Sequence, residues 1–262
     1  MANYVSFQMW GPFRQSLIKG HQFYVEQARK RVLSQFENIE EEADKTADDW
    51  LEESGGLFDP DRHDPSDFYK AANDFRIEFY QLLSHMRDQT RLSVVAGMFH
   101  EWVKKLREWL VREIQHWHHG ETVVAKVWSA DFGKITDLLE SFGWKLRRTD
   151  YFKTLDACRL VVNVYKHGTG TSLADLKATY PEYPDDPLKG VRPSWSKKLV
   201  DHKHLKVSDD QFEAFSHAIL AFWRDVPENV VGGQELVPSW FEKAILSDRA
   251  TRRAVSAKVG RR

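Results

Sequence analysis

The sequence predicts an all-α protein, a helical bundle with one long polar, Pro-rich connection and a basic C-terminal tail. Three observations carry that prediction. The 262 residues include only nine Pro and fourteen Gly, too few for many short strands joined by tight turns. Apolar residues recur three and four apart over long stretches, the period of one helical face. Capping residues and glycines stand where those stretches begin and end.

Residues 12–53 read as one long helix, or two with a kink, because Leu17, Val25, Val32, Phe36 and Ile39 recur at helical intervals. The second half, "FENIEEEADKTADDWLEES", is strongly acidic, which a solvated helix face explains. The loop "SGGLFDPDRHDPSDF" follows, with Gly55-Gly56 closing one helix and Asp64-Pro65 opening the next. Its acids Asp59, Asp61 and Asp64 lack the spacing of a calcium loop. Residues 65–118 read as two helices, the second with an apolar stripe of Val95, Met98, Phe99, Trp102, Leu106, Trp109 and Leu110. Lys104, Lys105, Arg107 and Arg112 flank that stripe and could touch phosphate, but a solvated flank is the reading preferred. His116, His118 and His119 lack the i, i+4 spacing of two metal ligands on one helical face, and histidines are favoured at a helix C-terminus in any case.

Further helices are predicted at 131–142, ending at Gly143, and at 149–167. A polar stretch then runs to about residue 207, broken by the short helix "SLADLKATY"; its length predicts a packed or functional segment. Ser208 and Gln211 form a capping box for "VSDDQFEAFSHAILAFWRDV", and "PSWFEKAIL" is the last short helix. The closing "SDRATRRAVSAKVGRR" has six basic residues against one acid and reads as a mobile arm. Domain organisation is therefore one helical domain over 1–247 with a tail over 248–262.

A hydrophobic share of 42% beside 29% charged residues is the mix of a water-soluble globular chain, and ten Trp with sixteen Phe supply a sizeable core. With a net charge of −1, any nucleic-acid contact would rest on local patches. The single cysteine, Cys158, excludes an intramolecular disulfide and a Cys-based zinc site. Neither the opening "MANYVSFQMWGPFRQ" nor any later segment has the apolar run of a signal peptide or a membrane helix, so the expectation is a cytoplasmic protein without membrane contact. A G-x-S-x-G element, a P-loop and a G-x-G-x-x-G fingerprint are all missing, and no cofactor is implied.

The residues that carry chemistry lie in "RLVVNVYKHG" and the turn before it. At about 100° per residue, Asp156, Arg159, Asn163, Lys166 and His167 fall within an arc of roughly 100°. Cys158, Val161, Val162, Val164 and Tyr165 take the rest of the circumference. A narrow polar strip on a mostly buried helix lines a cleft or an interface. The plainer account is a helix cap at His167-Gly168 and an i, i+3 ion pair between Asp156 and Arg159.

Asn163-Val-Tyr-Lys-His167, on a helix of an all-helical bundle with Arg159 one turn earlier, resembles the HEPN superfamily, whose signature is Arg, four to six residues, then His, often with Asn directly after the Arg. "NVYKHGTGTSLADLK" is similar to the Asn-x-x-Lys-His-Gly segment of HEPN-like bacterial proteins, and the likeness covers about residues 90–225. The family's arginine position is held here by Val162, and Arg159 lies about 12 Å up the helix axis from His167.

The resemblance implies a metal-independent endoribonuclease or RNA-targeting toxin of prokaryotic defence or a toxin–antitoxin system, acting as a homodimer with the two motifs facing one another. His167, Arg159 and Asn163 would be catalytic, and Lys166 and Asp156 would bind substrate. An imidazole can serve as base or acid at neutral pH. Arg159 or Lys166 would stabilise charge on the phosphate, Asn163 would orient His167 or the phosphate, and Asp156 would hold Arg159. The alternative is a catalytically inactive helical module that binds a protein partner, such as an antitoxin, or RNA.

Overall fold

The computed structural model describes residues 4–185, 200–232 and 237–259. Its order is β1 (Tyr4–Gln8), α1 (Gly11–Arg31), α2 (Ile39–Gly55), α3 (Pro65–Gln115), α4 (Glu121–Ser129), α5 (Phe132–Ser141), α6 (Phe152–His167), α7 (Thr171–Thr179), α8 (Asp209–Asp225), β2 (Asn229–Gly232) and α9 (Ser239–Val259). The fold is all-α, as the sequence predicts, with a single antiparallel pair of short strands among the described residues.

α3 is the longest element and organises the rest. The sequence expectation of two helices over 65–118 is corrected to one helix of 51 residues. Beyond Pro65 at its start, it contains no proline and only Gly97, and that lone glycine does not interrupt it. Asp64 caps it by accepting from the Ser66 N–H at 2.9 Å, the helix-start role expected of the Asp64-Pro65 pair. The first half of α3 packs on α2, with Ala43 and Ala47 of α2 and Ala72 of α3 buried. In the second half every member of the apolar stripe from Val95 to Leu110 is buried, against α1, α6 and α8.

β1, α4 and β2 are not foreseen by the sequence reading. β1 is fastened to α3 by side chains: the Trp109 indole N–H donates to the Gln8 carbonyl (2.9 Å), and the Gln8 N–H donates to the Glu113 carboxylate (3.0 Å). Phe7, fully buried, packs edge-on against Phe142 and beside Trp109. The kink expected within 12–53 is a short 3₁₀ turn, Leu33–Phe36, between α1 and α2. The capping box at Ser208 and Gln211 is present, each side chain bonded to the other's backbone N–H. The Pro-rich connection lies partly outside the described residues, at 186–199. Its ends are packed, with Tyr183 stacked on Phe215 of α8 at 5.5 Å.

The end expected for the last short helix is also corrected. The final helix does not stop near residue 246; α9 continues to Val259. Asp248, the one acid of that basic segment, is buried and accepts from the backbone N–H groups of Thr122 (2.9 Å) and Val123 (3.0 Å). It thus caps α4 from another helix, where the helix's own N-cap residue, Gly120, has no side chain to offer. A Cβ at Gly120 would lie 2.0 Å from the Asp248 carboxylate, so the close approach requires glycine. His118 joins the same carboxylate at 3.0 Å.

Burial works to raise the Asp248 pKa, but the bonds from Thr122, His118 and Val123 outweigh it and hold the carboxyl at about 2. A depressed carboxyl contributes stability above its unfolded value and loses it as pH falls through the folded value. Asp248→Asn should therefore lower the stability by about 1–3 kcal/mol at neutral pH. The difference from wild type should shrink between about pH 4 and pH 2. Denaturant melts across that range check this; an unchanged difference at pH 2 would contradict it.

Candidate functional site

α6 is built as its pattern requires. Leu155, Ala157, Cys158, Leu160, Val161, Val162 and Val164 are buried, while Asp156, Arg159 and Asn163 are half-buried and Lys166 and His167 exposed. Tyr165, assigned to the apolar side by the sequence, is partly exposed. Gly168 ends the helix with φ +71°, a conformation suited to glycine, and its N–H donates to the Val164 carbonyl at 2.8 Å.

The polar strip faces a cavity of about 680 Å³ between α3, the start of α5 and α6. Asp156, Arg159, Asn163 and Lys166 line it from α6. His167 does not line it; the histidine sits one turn past Asn163, exposed at the helix end. The structure therefore brings together four of the five residues picked from the sequence and leaves the fifth outside.

Arg159 is occupied. Its Nη2 lies 2.7 Å and its Nε 2.9 Å from one Asp156 oxygen, while the other accepts from the Tyr180 hydroxyl at 3.1 Å. Burial and then the Asp156 charge push the Tyr180 pKa up to about 12. The i, i+3 ion pair is thus real, and a residue just past α7 braces it. Tied toward the N-terminal side of α6, Arg159 is directed away from His167.

The opposite wall of the cavity comes from α3. His100 and Arg107, seven residues apart and so on one face of that helix, both line it. Arg107 donates from Nη2 to the Ala130 carbonyl at 2.7 Å, which pins the α4–α5 junction, and its buried Nε has no hydrogen-bond partner. Partial desolvation, then the Lys166 and Arg107 charges, lower the His100 pKa below the ordinary 6.5. Sequence reasoning named Arg107 only as a flanking cation and did not find His100. The signal available was the pair at i and i+7 beside a buried stripe. Arg147 also reaches the cavity but is engaged by Asp137 (2.6 Å) and by Glu140.

A second cavity of about 700 Å³ lies between α1 and α3, with Leu17, Tyr24, Met98 and Trp102 in its walls. Its rim lysine, Lys105, is already paired with Glu108 (2.9 Å) and Glu101 (3.7 Å), and its one imidazole, His21, is pushed by burial to about 4. Its other cation, Arg31, donates to the Gln27 side chain at 2.7 Å, so this cavity has fewer cations without an ion-pair partner than the α3–α6 cavity. No group of three or more His, Cys, Asp or Glu side chains suited to a metal ion occurs among the described residues. No helix among them is long and apolar enough to cross a membrane.

Cys158 lies on the buried side of α6, fully enclosed, and burial raises its thiol pKa far above the ordinary value. It should resist a thiol reagent in the folded protein and react within minutes in denaturant. Rapid labelling without denaturant would mean that α6 opens readily. No family model matches this chain, and no curated protein or solved structure matches it.

Proposed function

We propose that this protein is a HEPN-like, metal-independent endoribonuclease whose site is the polar strip of α6. The observation that carries the reading is the placement of Asp156, Arg159, Asn163 and Lys166 around one cavity, with His167 exposed one turn beyond. Asp156 and Tyr180 fix Arg159, so a phosphate meets an oriented guanidinium. Asn163 and His167, four apart, share one helical face, so the amide can hold a phosphate oxygen while the imidazole handles a proton.

Cleavage requires one base and one acid. The base removes the 2′-OH proton as that oxygen attacks phosphorus, and the acid protonates the departing 5′-oxygen. One His167 per chain supplies one of these roles. An exposed imidazole at a helix end is placed to work beside that of a second copy, as a homodimer of the HEPN type would have it. Such an enzyme belongs with RNA-targeting toxins and prokaryotic defence, where a protein antitoxin would cover the site.

A second reading is favoured by one observation: His167 stands outside the cavity that holds the cations. Under it the protein binds RNA or a protein partner through the same strip and cuts nothing.

The test is cleavage of labelled total RNA in EDTA by wild type and His167→Ala side by side. Loss of a catalytic acid or base should reduce cleavage by about 10²–10⁴-fold. Equal cutting by the two proteins would remove His167 from the chemistry, and no cutting by either would favour the binding module.

A further inference from the structure

We infer that His100, Arg107 and Lys166 form a phosphate-binding site in the cavity between α3 and α6, one that holds a phosphate ester whether or not His167 cuts it. The three basic side chains line the same cavity from two helices. None has a carboxylate within ion-pair distance among the described residues, whereas Arg159 is paired with Asp156, and Arg147 with Asp137 and Glu140. Asp131, the other acid at the cavity, is taken up by Lys134 at 3.1 Å and by the Lys134 backbone N–H at 2.8 Å. Asp131 acts on Arg107 through its charge alone, so the cations on that side of the cavity have no ion-pair partner.

Arg107 is the anchor. The bond to Ala130 fixes its guanidinium, and its Nε is buried with its donor unused. That Nε is closed off from the cavity, so the guanidinium's other N–H groups, at the cavity wall, would make the charge-assisted bonds to a phosphate oxygen. Because the side chain is already held, little ordering is lost on binding. Lys166, exposed on the last turn of α6, adds a second cation on the facing wall.

The groups around His100 are Arg107 on its own helix, Asp156, Arg159 and Lys166 on α6, and Asp131 and Arg147 at the far side of the cavity. Lys166 and Arg107 both disfavour the imidazolium, and an anion between them would reverse that effect. The cavity, at about 680 Å³, has room for more than a bare phosphate, and Phe99 and Phe152 offer apolar surface beside the cations. A nucleotide and a stretch of RNA backbone share the chemistry that this site recognises.

The experiment is an NMR titration of the His100 ring, assigned with His100→Gln, against inorganic phosphate, adenosine 5′-monophosphate and a short single-stranded RNA. Saturable binding that raises the His100 titration midpoint is expected with at least one probe. Loss of one charge-assisted contact should weaken that binding about tenfold in Arg107→Gln and in Lys166→Gln. Arg107 also ties the α4–α5 junction, so the exposed Lys166→Gln keeps the test independent of folding. Tighter binding of RNA than of the mononucleotide identifies the backbone as the ligand, and the reverse identifies the free nucleotide. A His100 midpoint unmoved by all three probes overturns the inference, as does wild-type affinity in both variants. Phosphate binding without RNA cleavage would sink the nuclease proposal and leave this one standing.

Discussion

Between Leu92 and Ile114, α3 carries a broad apolar stripe that must be kept from water, and the rest of the molecule is arranged around that fact. Trp102, Leu106, Trp109 and Leu110 are each almost wholly buried, and neighbours must approach from several sides to enclose them. α1, α6 and α8 do so with apolar faces, and β1 does so with Phe7 and with the Gln8 backbone. The indole N–H of Trp109 illustrates the accompanying polar constraint. Once the ring is buried its donor needs an acceptor, and the Gln8 carbonyl supplies one at 2.9 Å. The N-terminal strand is thus positioned by a hydrogen-bonding requirement of the core helix.

The same enclosure makes the candidate site. α6 presses its valines on the core and has only one strip left for polar groups, and the facing surface of α3 is the edge of its own buried stripe. Cations at that edge are partly desolvated, which strengthens their interactions with any charge between them. The protein pairs some of these cations internally, with Asp156, Asp137 and Glu140, and leaves others without an ion-pair partner. On a chain whose net charge is −1, that local selection matters more than the overall balance.

What the sequence made legible follows from locality. The caps at Asp64 and Ser208, the stripe of α3 and the narrow strip of α6 depend on residues within a few turns of one another, where helical geometry fixes the relation. Asp156 and Arg159 could be paired on paper for the same reason. The α3 wall shows in the sequence only as His100 and Arg107 seven apart, because nothing in local periodicity relates them to Asn163. Asp248 was hidden in the same way: in sequence it is one acid in a basic tail, and only the approach of α9 to the bare N-terminus of α4 gives it a role. The exposure of His167, likewise, is decided by where α6 ends against its neighbours, whereas its place on the strip is set by the helical repeat alone.

The unbroken length of α3 has a consequence for how this chain can vary. Its 51 residues extend about 75 Å, with a hairpin partner, α2, along one half and the cation-bearing wall on the other. Seven residues turn a helix to within about 20° of two full revolutions. Seven added to α2 and seven to the facing part of α3 would restore the packed faces to register and leave the Leu92–Ile114 end unchanged. One added residue at the boundary between the halves would instead turn one half by about 100° against the other. Descendants of this chain can thus lengthen or shorten the hairpin in steps of two turns, while the segment that encloses Trp102 and Trp109 admits no such change.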